Sequence, residues 1–155
     1  MPPELTVFFL AMTPFLEIKL AIPLGLKLGL SKTSTIAFAT AGTIIPAMVG
    51  LAAATPITNF LRKNSPIMDK FLTFLFNKTR KDHSKSFEKY EALFIFMLVA
   101  TPLPGTGASA GALIAYLFGV EYWKACSLFI LGTIVSALLL LTGIESIFAL
   151  TSLFN

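Results

Sequence analysis

The sequence predicts an all-α integral membrane protein arranged as an inverted repeat, each copy a re-entrant helical hairpin plus one transmembrane helix. Three observations predict it. Long stretches carry no charge, prolines and glycines interrupt two apolar stretches near their middles, and most of the basic residues lie together between the halves. The mean hydropathy of +0.81 and the 13% of charged residues agree, since an ordinary soluble domain carries about 25% charge. These figures exclude a disordered chain and speak against a soluble globular domain. One cysteine, Cys126, excludes an intrachain disulfide framework, and one histidine, His83, leaves little for imidazole catalysis.

The first repeat covers residues 1–61. Residues 5–13 form a short apolar arm that ends at Pro14, and residues 18–30 form a second arm with Pro23 and Gly25 inside it. No basic region precedes Leu5, so this stretch is expected to belong to the mature protein rather than to a cleaved signal. The 29 residues of 33–61 carry no charge. A hydrocarbon core of about 30 Å needs roughly 20 helical residues, so this run crosses, over about residues 34–60.

The linker, residues 62–90, differs in composition. Between Arg62 and Glu91 there are eight Lys/Arg and four acids, whereas residues 1–16 and 144–155 hold no Lys or Arg. By the positive-inside rule the linker is cytoplasmic. Ser65-Pro66 supplies an N-cap and a first helical residue. Ile67, Phe71, Leu72, Phe74 and Leu75 fall mostly on one face, which predicts an amphipathic helix lying in the interface or packed on the spans. The basic residues of 78–89 set topology or attract anionic headgroups. They have no aromatic stacking platform, so no nucleic-acid partner is expected.

The second repeat covers residues 91–155, which makes a single membrane domain in all. Residues 91–101 lead into Pro102, Pro104, Gly105 and Gly107, residues 108–119 form the returning arm, and residues 125–144 hold a further 20 without charge. Thr13-Pro14 matches Thr101-Pro102, Gly29 matches Gly119, and Gly42-Thr43-Ile44 matches Gly132-Thr133-Ile134. Arms of about 9 to 13 residues reach about 14 to 20 Å, half a bilayer. A Pro-x-Pro-Gly-x-Gly tip cannot continue a helix. Broken backbone at that depth must be buried in protein or line a wet cavity. One crossing per repeat inverts the second copy and puts both termini outside a multi-pass cell-membrane protein. The competing picture, two kinked spanning helices, would put the termini on the linker's side.

Few residues carry chemistry. Glu17 and Lys19 lie inside the first hairpin, where an ionisable group costs about 2.5–3.5 kcal/mol at the centre of a span. Glu17 is the candidate proton or cation site and Lys19 the candidate binder of anionic groups; the alternative is a structural ion pair holding the tip. Pro14, Pro23, Pro102, Pro104, Gly105, Thr106 and Gly107 are candidates for the substrate path, with backbone amides near Gly105 and Gly107 as an anion cradle. Glu145 is expected at the outer interface, Tyr116, Tyr122 and Trp123 as interface anchors, and Cys126 as an inert residue near the cytoplasmic face. No nucleophile, catalytic triad, metal site or cofactor is suggested, so the chain is not expected to be an enzyme.

PFLEIKLAIPLG resembles the Pro-x-x-Glu-x-Arg-x-x-Ile-Pro-x-Gly signature of the small multidrug export family, and FEKYEALFIFMLVATPLPGTGASAGALIA resembles its second signature. That family is similar to the wider DedA/VTT superfamily. The resemblance implies two re-entrant hairpins in an inverted repeat and a role in transport. It places Glu17 at the family's acidic position and Lys19 at its basic one, usually arginine. Ser109-Ala110-Gly111 departs from the usual Trp-Thr-Gly. The function expected is a proton-coupled transporter that exports or flips an amphiphile, either a hydrophobic drug or a lipid-linked phosphate such as a polyprenyl phosphate. An energy-independent lipid scramblase and a non-transporting scaffold are the alternatives. Expected partners are membrane lipids, the amphiphilic substrate, protons and a second copy in a homodimer.

Overall fold

The computed structural model describes residues 1–14, 16–79 and 85–153, with side chains for 1–14, 16–78 and 88–146. His83 and the basic residues Arg80 and Lys81 lie outside the described residues. The described residues form seven helices and no strand. They are α1 (Pro3–Ala11), α2 (Glu17–Lys27), α3 (Lys32–Asn64), α4 (Pro66–Thr79), α5 (Lys85–Ala100), α6 (Ala108–Phe118) and α7 (Tyr122–Leu153). The order is short, short, long on each side of α4. Helix α3 and residues 122–146 of α7 are long and apolar enough to cross a membrane.

The two connections from short to long helix are alike. Gly29 and Gly119 sit at φ +80° and +75°, where a side chain would be strained. Leu30 N donates to Gly25 O at 3.1 Å, and Val120 N donates to Ala115 O at 2.9 Å. Each is a left-handed helix end that satisfies late carbonyls. Helix α3 then starts at Ser31, whose hydroxyl accepts from Ser34 N at 3.1 Å.

Helices α3 and α7 outrun the expected crossings of about 34–60 and 125–143. With 33 and 32 residues they measure about 50 and 48 Å at 1.5 Å per residue. Charge marks where the hydrocarbon ends, and nothing at Arg62, Lys63 or Glu145 stops a helix. Only Ser65-Pro66, which begins α4, ends α3.

The short helices of each pair pack on one another. A Cβ at Gly25 would lie 2.5 Å from Thr35 Cγ2 and 3.1 Å from Val7 Cγ2, so the middle of α1, the end of α2 and the start of α3 meet. Helix α5 packs on α7 in the second half. Matched glycines admit the first arm of each half to its long helix. A Cβ at Gly42 would lie 2.3 Å from Phe8 O, and one at Gly132 would lie 2.8 Å from Val99 Cβ. Helix α2 also packs on α7, and α6 on α3, so each hairpin touches both long helices.

Two buried clusters form the core. One joins Ala47 and Leu51 of α3 to Ala125 and Phe129 of α7, and the other joins Ala39 to Ala137 and Leu141. As α3 advances, its partners on α7 recede, so the long helices run antiparallel. The buried set is mostly small or hydroxylic, including Ala21, Ala39, Ala108, Ala137, Thr43, Thr133 and Ser136, while Phe9, Val49, Phe60, Leu131 and Leu138 are exposed. Small residues inside and large apolar residues outside are the arrangement of helices packed in lipid, which agrees with a membrane protein.

Helix α4 packs on the spans, the second of the two arrangements expected for the linker helix. Ser65 Oγ accepts from Met68 N at 3.4 Å. Leu72, Leu75 and Phe76 are half-buried, on a helix that packs on α3 and α6, while Ile67, Phe71 and Phe74 remain exposed on the other side.

Candidate functional site

The site forms where the two hairpin tips meet. Glu17 opens α2 with φ +41°, the one described non-glycine residue with positive φ, and only 2% of it is exposed. Its carboxylate crosses to the second hairpin. Ala108 N donates to Oε2 at 3.1 Å and Ser109 N donates to Oε1 at 2.9 Å. These amides belong to the first turn of α6, which has no carbonyl partners for them within the helix. The N-terminus of α6, which carries roughly half a positive charge, thus meets the carboxylate. That field makes a buried acid tolerable here. Both oxygens act as acceptors from backbone amides.

The contact requires glycine opposite. Gly107 has φ +124°, and a Cβ there would lie 2.0 Å from Glu17 Oε2. Lys19, two residues on in the same first turn of α2, is half-buried and donates from Nζ to Thr106 O. Glu17 and Lys19 therefore do not form an isolated pair. Each binds backbone of the other hairpin, one at two amides and one at a carbonyl.

The tip itself is closed by local bonds. Gly107 N donates to Leu98 O at 3.2 Å, and Thr106 N donates to Leu103 O at 3.2 Å. Thr106 Oγ1 accepts from Leu103 N at 3.1 Å. The anion that the α6 N-terminus holds is thus Glu17 itself, and the amides of Thr106 and Gly107 point to carbonyls of their own hairpin. Pro102 is half-buried, Pro104 and Gly105 are exposed at the tip, and Pro23 is exposed midway along α2.

Pro14 lines a cavity of about 270 Å³ with Pro46, Ala47 and Gly50 of α3 and Ser109, Leu113 and Tyr116 of α6. Ser109 thus touches both Glu17 and the cavity. Tyr116 also borders a cavity of about 380 Å³ with Thr55 and Tyr122, and a cleft of about 690 Å³ with Thr58, Asn59, Arg62, Thr73 and Asn77. Tyr116 therefore lines cavities between the helices, and the Tyr122 hydroxyl donates to Met48 O at 3.5 Å. Trp123 alone of the three is fully outward, 71% exposed. Arg62 reads in sequence as one more linker charge. Its place in the cleft depends on α4 folding back on α3, which no local signal announces.

A family model described as small multi-drug export protein matches residues 17–139. The chain belongs to that family. The match begins at Glu17 and takes in both α6 and the cavities that Tyr116 borders, so the family's common region contains this site. No curated protein and no solved structure matches the chain. Among the described residues no group of three His, Cys, Asp or Glu side chains is placed to hold a metal ion. At the end of the bundle remote from α4, Lys32 pairs with Glu145, which joins the start of α3 to α7.

Proposed function

We propose that this family member is a proton-coupled transporter that exports or flips an amphiphilic substrate, with Glu17 as the protonatable latch between its two hairpins. The observation that carries the reading is the pair of α6 amides held by a buried carboxylate from the opposite hairpin. Hydrogen bonds to a charged group contribute about 1.5–3 kcal/mol, against about 0.5–1.5 for neutral ones. Protonation of Glu17 thus weakens the latch by about 1–2 kcal/mol, enough to shift a two-state equilibrium several-fold. Released amides at a helix N-terminus then face the cavity that Ser109 lines, and accept an anionic or polar group. Pro14 lines that cavity, and Lys19, with two donors beyond the one given to Thr106, stands two residues from Glu17.

In this reading the hairpins are re-entrant, the halves are inverted copies, and the fold is that of the DedA/VTT superfamily. The linker is cytoplasmic and both termini lie outside. The paired short arms, the antiparallel long helices and the equal turns at Gly29 and Gly119 support it. The substrate is a hydrophobic drug or a lipid-linked phosphate. A second reading, passive lipid scrambling, is favoured by the cavities that meet at Tyr116, since they give headgroups a polar edge beside α6.

Reconstituted vesicles separate the two. An imposed pH gradient drives accumulation by the transporter and leaves scrambling unchanged. Glu17→Gln keeps the side-chain shape and loses gradient-driven uptake. Full gradient-driven uptake by that variant sinks the latch.

A further inference from the structure

We infer that the cleft between α3, α4 and α6 is a binding site for a phosphate-type monoanion, carried as a lipid headgroup or as the free ion, and that Arg62 is its receptor. This deepens the transport reading by naming the charged end of the substrate. The cleft measures about 690 Å³. Among the described residues Arg62 is the one charged side chain lining it; Thr55, Thr58, Asn59, Thr73 and Asn77 add hydroxyls and amides. No carboxylate among the described residues lines it, the nearest to Arg62 being Asp69 at 3.9 Å, so this lining favours an anion.

Arg62 is positioned and under-bonded. The Phe76 ring lies 5.0 Å beneath its guanidinium carbon, which fixes the flat face and turns the donor edge sideways. Asp69 approaches Nε only to 3.9 Å, too far for a hydrogen bond. Nε is shielded from solvent and finds no acceptor among the described residues. A buried guanidinium donor without an acceptor is the complement of a tetrahedral oxyanion, which Arg binds through two parallel bonds. A structural role at the end of α3, where cations favour the helix dipole, accounts for the charge and leaves Nε unexplained. The cleft also meets, at Tyr116, the smaller cavity walled by Pro14, Pro46 and Leu113. A charged head and an apolar body thus have adjoining places, one near α4 and one near the hairpin tips.

The test is binding by full-length protein in neutral detergent, followed by titration calorimetry. The probes are dihexanoylphosphatidic acid, dihexanoylphosphatidylcholine and inorganic phosphate. Phosphatidate is expected to bind at least tenfold tighter than the zwitterionic lipid. Arg62→Ala lowers its affinity at least tenfold, Arg62→Lys by less because charge remains, and Lys63→Ala by under twofold. Asn77→Leu on α4 weakens it several-fold and keeps the test open where an Arg62 variant fails to fold. Displacement of phosphatidate by equimolar phosphate supports the site with the free ion as occupant; failure to displace supports it with a headgroup. Equal affinity of the two lipids for the wild-type protein, or undiminished binding by folded Arg62→Ala, overturns the proposal. Binding is read without transport, so its loss leaves the Glu17 latch to its own test.

Discussion

Glu17 occupies the space that a side chain at residue 107 would need: a Cβ on Gly107 would lie 2.0 Å from its Oε2. The two positions are 90 residues apart, the same separation as Gly29 from Gly119 and Gly42 from Gly132. Both have positive φ and both stand at the start of a second arm. Where the halves correspond in shape, they divide the chemistry. One contributes a carboxylate, and the other contributes room and donors.

Gly107→Ala is therefore expected to be severe. It strains a residue at φ +124° and drives a methyl group into a buried carboxylate. Strain alone costs about 1–3 kcal/mol, and the lost contact adds about as much. Reversible unfolding in mixed detergent checks this. Stability within about 0.5 kcal/mol of wild type, on the scale of an ordinary surface change, would contradict the geometry.

The crossing glycines rank in a definite order. At Gly42 a methyl group meets the carbonyl oxygen of Phe8 at 2.3 Å, while at Gly132 it meets the Val99 side chain at 2.8 Å. Backbone yields less than a side chain, so Gly42→Ala should destabilise more than Gly132→Ala, both by about 1–3 kcal/mol. Gly50 and Gly143 have open space, and alanine there should raise stability by up to about 1 kcal/mol. The same unfolding assay reads all four.

Cysteine labelling decides the topology. Native Cys126 is buried, so an exposed reporter is needed in a Cys126→Ala background. Glu121→Cys should react only with reagents admitted to the cytoplasm, as should Asn64→Cys, and Ser146→Cys only from outside. Fully spanning arms would place positions 64 and 121 on opposite sides.

Lys19→Ala removes the bond to Thr106 O and a cationic centre two residues from Glu17. Transport of an anionic amphiphile should fall at least tenfold, and that of a cationic drug much less. The reverse order, measured as uptake by vesicles, would favour the drug as substrate.

The arms were legible in sequence because their ends are written in backbone chemistry. Pro14, the Pro102–Gly107 tip and the left-handed glycines 29 and 119 allow no continuous helix, and α1, α2 and α6 lie close to the expected arms, while α5 begins at Lys85, inside the stretch assigned to the linker. Helix α4 was legible from Ser65-Pro66 for the same reason. The partner of Glu17 was not, since Ala108 is 91 positions away and no periodicity links two hairpin tips. Arg62 was hidden by its neighbours, because one guanidinium in a basic run looks topogenic until α4 places Phe76 beneath it. Tyr116 looked like an anchor because its helix is short and near the linker, and the packing of α4 on that helix was hidden.

The alanine and threonine lining of the helix contacts has a mechanical consequence. A seam with few interlocking knobs suits the shear type of motion, so in the proposed transporter α2 and α6 are expected to glide along α3 and α7 by about 1–2 Å. The Glu17 carboxylate and the Lys19 amine would then act together as the brake on that bearing.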